Sequence, residues 1–162
     1  MPPSNESPAR TTEAASPRLV VDASVAVKWH LQDEEHVDQA LALLDRFAAG
    51  TVELVAPDQI RYEVPSAITV ATRRTTPRLT IEQGRAAIDE FLALGLTTLR
   101  DDDLIVRAYP LTHQYAIAFY DALYLACAQY VGCPLIVADD RFYQRIRTHR
   151  DIIWIGDYHT AS

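Results

Sequence analysis

The sequence predicts an α/β fold, a three-layer α/β/α sandwich in which helices cover both faces of a mostly parallel sheet. Three observations carry this expectation. Short, wholly apolar runs recur along the chain and read as strands buried on both faces. Between them lie segments whose apolar residues repeat at helical spacing, so strand alternates with helix. The intervals are longer than a hairpin turn needs, which favours parallel pairing through crossovers.

The chain has 162 residues, 49% of them hydrophobic, enough for one domain with its own core. Residues 1–17 carry four prolines and three serines and almost nothing large and apolar, so they are expected to be a disordered tail. The domain is expected over 18–157, with a short C-terminal tail at 158–162. Leu19-Val20-Val21 is the first strand and ends on Asp22. A helix over 33–50 has Val37, Ala40, Leu41, Leu44 and Phe47 at helical spacing, closed by Gly50. Residues 52–55 form the second strand, stopped by Pro57, and a helix runs on through Ile60, Glu63, Ala67 and Val70 with Pro65 near its start.

After a polar connection at 73–78, Thr80 and Gln83 form a capping box. It opens a helix with Ile81, Ile88, Phe91 and Leu92 on one face, ended by Gly95. Residues 96–99 make the third strand, and the acids at 101–103 suit the start of the next helix. A strongly apolar helix spans 119–131, closed by Gly132. Residues 135–137 form the fourth strand, followed by Ala138-Asp139-Asp140 and an arginine-rich helix. The last strand covers 152–155.

Composition narrows the function. A net charge of −7 argues against nonspecific coating of nucleic acid, although a local site is compatible with it. Fourteen of the 15 basic residues are arginine, and Arg141, Arg145, Arg147 and Arg150 fall in a ten-residue stretch without an acid. Arginine suits phosphate through its planar fork, but the same stretch also reads as a solvated helix face. Two cysteines, Cys127 and Cys133, are too few for a disulfide framework or a four-cysteine zinc site. No apolar run is long enough to span a membrane and the N-terminus lacks a secretory core, so a reduced, cytoplasmic protein is expected.

Two apolar strands end on aspartate, at Asp22 and Asp139, and parallel pairing would put both carboxylates along one edge of the sheet. Glu63, on the helix after the second strand, and Asp121, opening the apolar helix, can face the same edge. Four converging carboxylates oppose one another's ionisation, a conflict that a hard divalent cation such as Mg²⁺ or Mn²⁺ resolves. Each acid alone has a plainer reading: Asp22, Asp121, Asp139 and Asp140 as turn or cap residues, Glu63 as a surface helix residue.

Val21-Asp22-Ala23-Ser24, Glu63 after Pro57, Tyr120-Asp121-Ala122-Leu123-Tyr124-Leu125-Ala126 and Val137-Ala138-Asp139-Asp140-Arg141-Phe142 resemble, in order, the landmarks of PIN domains. The closest type is the VapC-like toxin ribonuclease of toxin–antitoxin modules. The resemblance covers residues 18–157 and implies a parallel sheet of about five strands between helices. It implies a Mg²⁺- or Mn²⁺-dependent endoribonuclease, with Asp22, Asp121 and Asp139 as metal ligands and Glu63 completing the catalytic pocket. Ser24 corresponds to a hydroxyl that holds a carboxylate or a metal-bound water, and Asp140 is a possible outer partner. One position departs from the pattern: Val137 stands where a Thr or Ser hydroxyl is usual.

The resemblance further implies an RNA substrate, a homodimer and a cognate antitoxin whose basic segment lies over the acids. Arg141, Arg145 and Arg147 are the expected RNA contacts, with Arg73, Arg74 and Arg78 a second candidate patch. A catalytically weak PIN-like module that binds RNA or protein is the alternative. A phosphatase or receiver domain fits poorly, because Asp22 lacks a second aspartate two residues on and the only lysine is Lys28. The five histidines show no metal-binding spacing and are expected at the surface or an interface. Trp29 and Trp154 are expected as core or interface anchors, and Cys127 as a buried thiol.

Overall fold

A computed structural model describes residues 15–159. Five strands, β1 (Arg18–Val21), β2 (Glu53–Pro57), β3 (Thr97–Leu99), β4 (Leu135–Val137) and β5 (Ile152–Trp154), form one sheet in the order β3-β2-β1-β4-β5. Every pairing is parallel. Seven helices connect them: α1 (Ala23–Val27), α2 (Val37–Ala48), α3 (Ile60–Arg73), α4 (Ile81–Ala93), α5 (Asp102–Tyr115), α6 (Phe119–Val131) and α7 (Asp140–Ile146). The chain moves outward from β1 to β3, then returns to the far side of β1. Right-handed crossovers therefore put α1–α4 on one face and α5–α7 on the other. The reversal falls between β1 and β4, and ligands of such sheets gather at the carboxyl ends of the strands beside it.

Burial explains the composition of the centre. Val20, Val21, Leu135, Ile136 and Val137 are fully enclosed, and α6 is buried continuously from Ala122 to Ala128. Such strands need no polar face, which is why they read as uninterrupted apolar runs. Trp29 is in the core, its indole N–H donating to the carbonyl of Ala40 (3.0 Å). Trp154 is half-buried between Tyr143 and His36. Cys127 is fully buried, which pushes its thiol up to about 12 and leaves it inert.

Several expectations need correction. The helix expected over 33–50 begins only at Val37, after a left-handed His36, and the short α1 carries no helical signature in its five residues, two of them valine. The capping box of α4 forms with both its bonds, yet Ile81 and Leu92 on the expected core face are exposed, as is Val70 of α3. Phe91 of the expected face is buried, together with Gly84 and Ala87. His30 is not a surface residue: its side chain is almost wholly covered and its Nε2 has no partner. Residues 1–14, most of the expected tail, lie outside the described residues. At the other end Tyr158 belongs to the packed body, buried and accepting from Arg46 (2.9 Å).

Gly84 shows how closely α3 and α4 approach. A Cβ there would lie 2.7 Å from the Thr72 methyl carbon. Helix propensity favours alanine over glycine by about 1 kcal/mol, while overpacking costs about 1–3 kcal/mol. Gly84→Ala is therefore expected to lower stability in urea unfolding, and to raise it once Thr72→Ser has removed that methyl group.

Candidate functional site

All four sequence-predicted acids sit at helix N-termini facing the carboxyl edge of the sheet. Asp22 caps α1, its Oδ2 accepting from the Ser24 amide (3.0 Å) and from the Ser24 hydroxyl. Asp139 caps α7, its Oδ1 accepting from the Phe142 amide (2.8 Å). Glu63 and Asp121 lie in the first turns of α3 and α6. Asp121 is not a cap: Ala118 holds that position in α6. Asp22 and Asp139 are thus caps, as the plainer reading of each expected, and they also stand at the sheet edge where the site is expected.

Ser24 ties two of these elements together. Its hydroxyl donates to Asp22 and accepts from the Ala138 amide (2.9 Å), so it fastens the end of β1 to the segment leading into Asp139. Val137 is fully buried in the sheet and presents no hydroxyl to the site. Asp140 does not join the acids. It is exposed and accepts instead from Gln144 (3.2 Å).

Helix N-termini favour carboxylates, yet Asp22, Glu63 and Asp121 are driven the other way. Burial pushes Asp22 up to about 7, opposed by its bonds from Ser24 and reinforced by the charges of Asp121 and Glu63. Burial also raises Asp121 to about 6, with Asp139 and Glu63 adding repulsion. Glu63 is raised by burial as well, and the bonds from Tyr124 and Gln59 only moderate this. Desolvation and mutual repulsion therefore outweigh the helix dipoles. Asp22, Asp121 and Glu63 form one electrostatic unit, with Asp139 coupled through Asp121.

The donor set is oxygen only, suiting a hard cation, and the repulsion within it is what such a cation would relieve. Among the described residues, no three His, Cys, Asp or Glu side chains are gathered closely enough to hold an ion as they stand. The carboxylates are spread over bonds to Ser24, Tyr124, Gln59 and the Phe142 amide, so closing them on an ion takes side-chain rotation.

Sequence reading missed two clamps. The Tyr124 phenol donates to Glu63 Oε2, and Gln59 Nε2 donates to the Tyr120 carbonyl (2.8 Å), locking the start of α3 to the start of α6. The signal for Tyr124 was faint: it lies three residues after Asp121, on a neighbouring stretch of helix face. Tyr124→Phe removes a donor to the charged carboxylate, so Glu63 is expected to titrate at still higher pH, read by NMR titration of its side chain.

Arg141 and Arg145 line a cavity of about 310 Å³ together with Asp121 and Asp139. The Arg141 charge slightly counters the raised value of Asp121. Arg147, at the C-cap of α7, does not line this cavity. In the second patch Arg78 is committed to an ion-pair network, bonded to Asp33 and to Glu34 (3.0 Å), while Lys28 is buried against Glu34 (2.9 Å).

Comparison with known proteins gives a family. A model of the PIN domain matches residues 19–147. No curated protein sequence matches the chain. Among solved structures, the crystal structure of PAE2754 from Pyrobaculum aerophilum superposes with a TM-score of 0.59, over 87% of this chain and 92% of that one. At 17% identity, that likeness establishes a shared fold.

Proposed function

Since the chain belongs to the PIN domain family, whose members are generally nucleases, we propose that it is a metal-dependent endoribonuclease and the toxin half of a toxin–antitoxin pair. The observation that carries this reading is the cluster of mutually repelling carboxylates, Asp22 buried and Glu63 and Asp121 half-buried, with exposed Asp139 and two arginines at its margin. Asp22, Asp121 and Asp139 would hold Mg²⁺ or Mn²⁺, which supplies Lewis-acid polarisation of the phosphodiester.

The remaining roles fall to the chain itself. Ser24 orients Asp22 and holds the backbone at Ala138, so two ligand-bearing segments keep their spacing. Glu63 accepts the proton of the attacking water. Both its bonds fall on Oε2, leaving Oε1 for that proton, and its raised pKa brings it nearer the working pH of a general base. Arg141 and Arg145 hold phosphates beside the acids, and Arg147 continues the strip. A homodimer and a basic antitoxin segment complete the proposal, the latter suited to a chain of net charge −7.

The test is incubation of total RNA with the purified chain in Mg²⁺, Mn²⁺ or EDTA. Discrete fragments that appear only with metal are expected. Cleavage that persists in EDTA would overturn the metal-dependent reading. A second reading, a catalytically weak module binding RNA or protein, draws on buried Val137 and on the spread carboxylates. RNA binding without cleavage in any metal would favour it.

A further inference from the structure

Two depressions flank the acids, and they differ in chemistry. On the Asp139 side lies the arginine-bearing cavity. On the Glu63 side a cleft of about 540 Å³ opens between α3 and α6, lined by Gln59, Tyr62, Glu63, Ser66, Val70 and Tyr120 among others. No basic side chain lines it. Tyr62 is 73% exposed and Tyr120 62%, so both rings present their surface to the cleft.

The walls of this cleft are held in place. Gln59 bonds the backbone at Tyr120, Tyr124 bonds Glu63, and the Phe119 ring stands edge-on to Tyr120 with centroids 6.4 Å apart. A phosphate is disfavoured there, because Glu63 is on the wall and nothing positive offsets it. The flat face of a nucleobase carries no such penalty, and stacking on aromatic rings is sequence-tolerant and strong. The volume is within the range of about 300–1,000 Å³ that holds compact organic ligands. Ser66 lies on the same wall and is exposed, so its hydroxyl can hydrogen-bond a base edge.

Resting on the endoribonuclease reading, we propose that this cleft is a nucleobase subsite. Single-stranded RNA crosses the acids with its phosphates over Arg141 and Arg145 and turns one unpaired base into the cleft, stacked on Tyr120 and Tyr62. A double-stranded segment cannot do this, because its bases are already stacked and paired.

The test uses mixed-sequence single-stranded oligoribonucleotides carrying one 2-aminopurine, bound to the chain with Asp121→Asn so that RNA is not consumed. Binding is expected to quench the probe. Tyr62→Leu and Tyr120→Leu should each abolish most of the quenching and weaken binding about tenfold, while Tyr120→Phe keeps both. Leucine variants that bind and quench as the parent does would overturn the subsite while leaving the nuclease reading intact. The cleft would then be open to an apolar protein segment. Equal loss in Tyr120→Phe and Tyr120→Leu would also overturn stacking, pointing to the hydroxyl. No RNA binding by the parent would overturn the subsite and the nuclease reading together.

Discussion

Asp121→Asn is expected to lower metal-dependent RNA cleavage by about a thousandfold, the scale set by losing several kcal/mol of electrostatic stabilisation at a metal site. The substitution conserves shape and removes one charge. It should not unfold the protein, because Asp121 is not the cap of α6 and its charge is opposed by burial, Asp139 and Glu63. Thermal melts in the absence of metal should therefore match or exceed those of the native chain at pH 8. A variant that melts normally yet cleaves within tenfold of native would remove Asp121 from the reaction. Activity lost together with structure would instead assign Asp121 a folding role.

Asp22→Asn separates stability from function more sharply, through pH. The Asp22 carboxyl titrates at about 7 in the folded chain against an ordinary value of 3.8, so the folded state keeps a proton that the unfolded state has released. Its contribution to stability is complete below about pH 4 and is lost as pH rises through 7. The native chain without metal should lose this stability between pH 4 and pH 8, and Asp22→Asn should flatten the loss. Its melting temperature is expected to rise by several degrees at pH 8 and to change little at pH 4. Added Mg²⁺ should stabilise the native chain more at pH 8 than at pH 5, because protons compete for the same oxygens. An identical pH dependence in the two proteins would show that Asp22 ionises without penalty.

How much of this was legible depended on whether the signal was local. The strands ending at Asp22 and Asp139 declared themselves, because a doubly buried strand must be apolar and the first polar residue marks its exit. The helix carrying Asp121 was visible for the same reason. Periodicity shows which side of α4 is apolar but not whether another element covers it, and Ile81 and Leu92 on that side are exposed. Arg78 looked free for RNA, since nothing near it in sequence reveals Asp33 and Glu34 as partners more than forty residues away. The clamps from Tyr124 to Glu63 and from Gln59 to Tyr120 each span 61 residues, beyond any spacing rule for a single helix.

The bond between the Ser24 hydroxyl and the Ala138 amide joins positions 114 residues apart. β1 lies at the centre of the sheet, but its neighbour β4 is the fourth strand made, and Asp139 follows it. During synthesis, then, a growing chain holds Asp22 and Glu63 while 76 more residues are added before the fourth acid is reached, Asp121 arriving only 18 residues ahead of it. Domains fold as units once their distant pairings become available. A chain cut short before residue 139 carries three of the acids but not the arginine-lined wall. Competence is thus deferred until Asp139 and the arginines after it have been made, and termination before them yields fragments without the complete site.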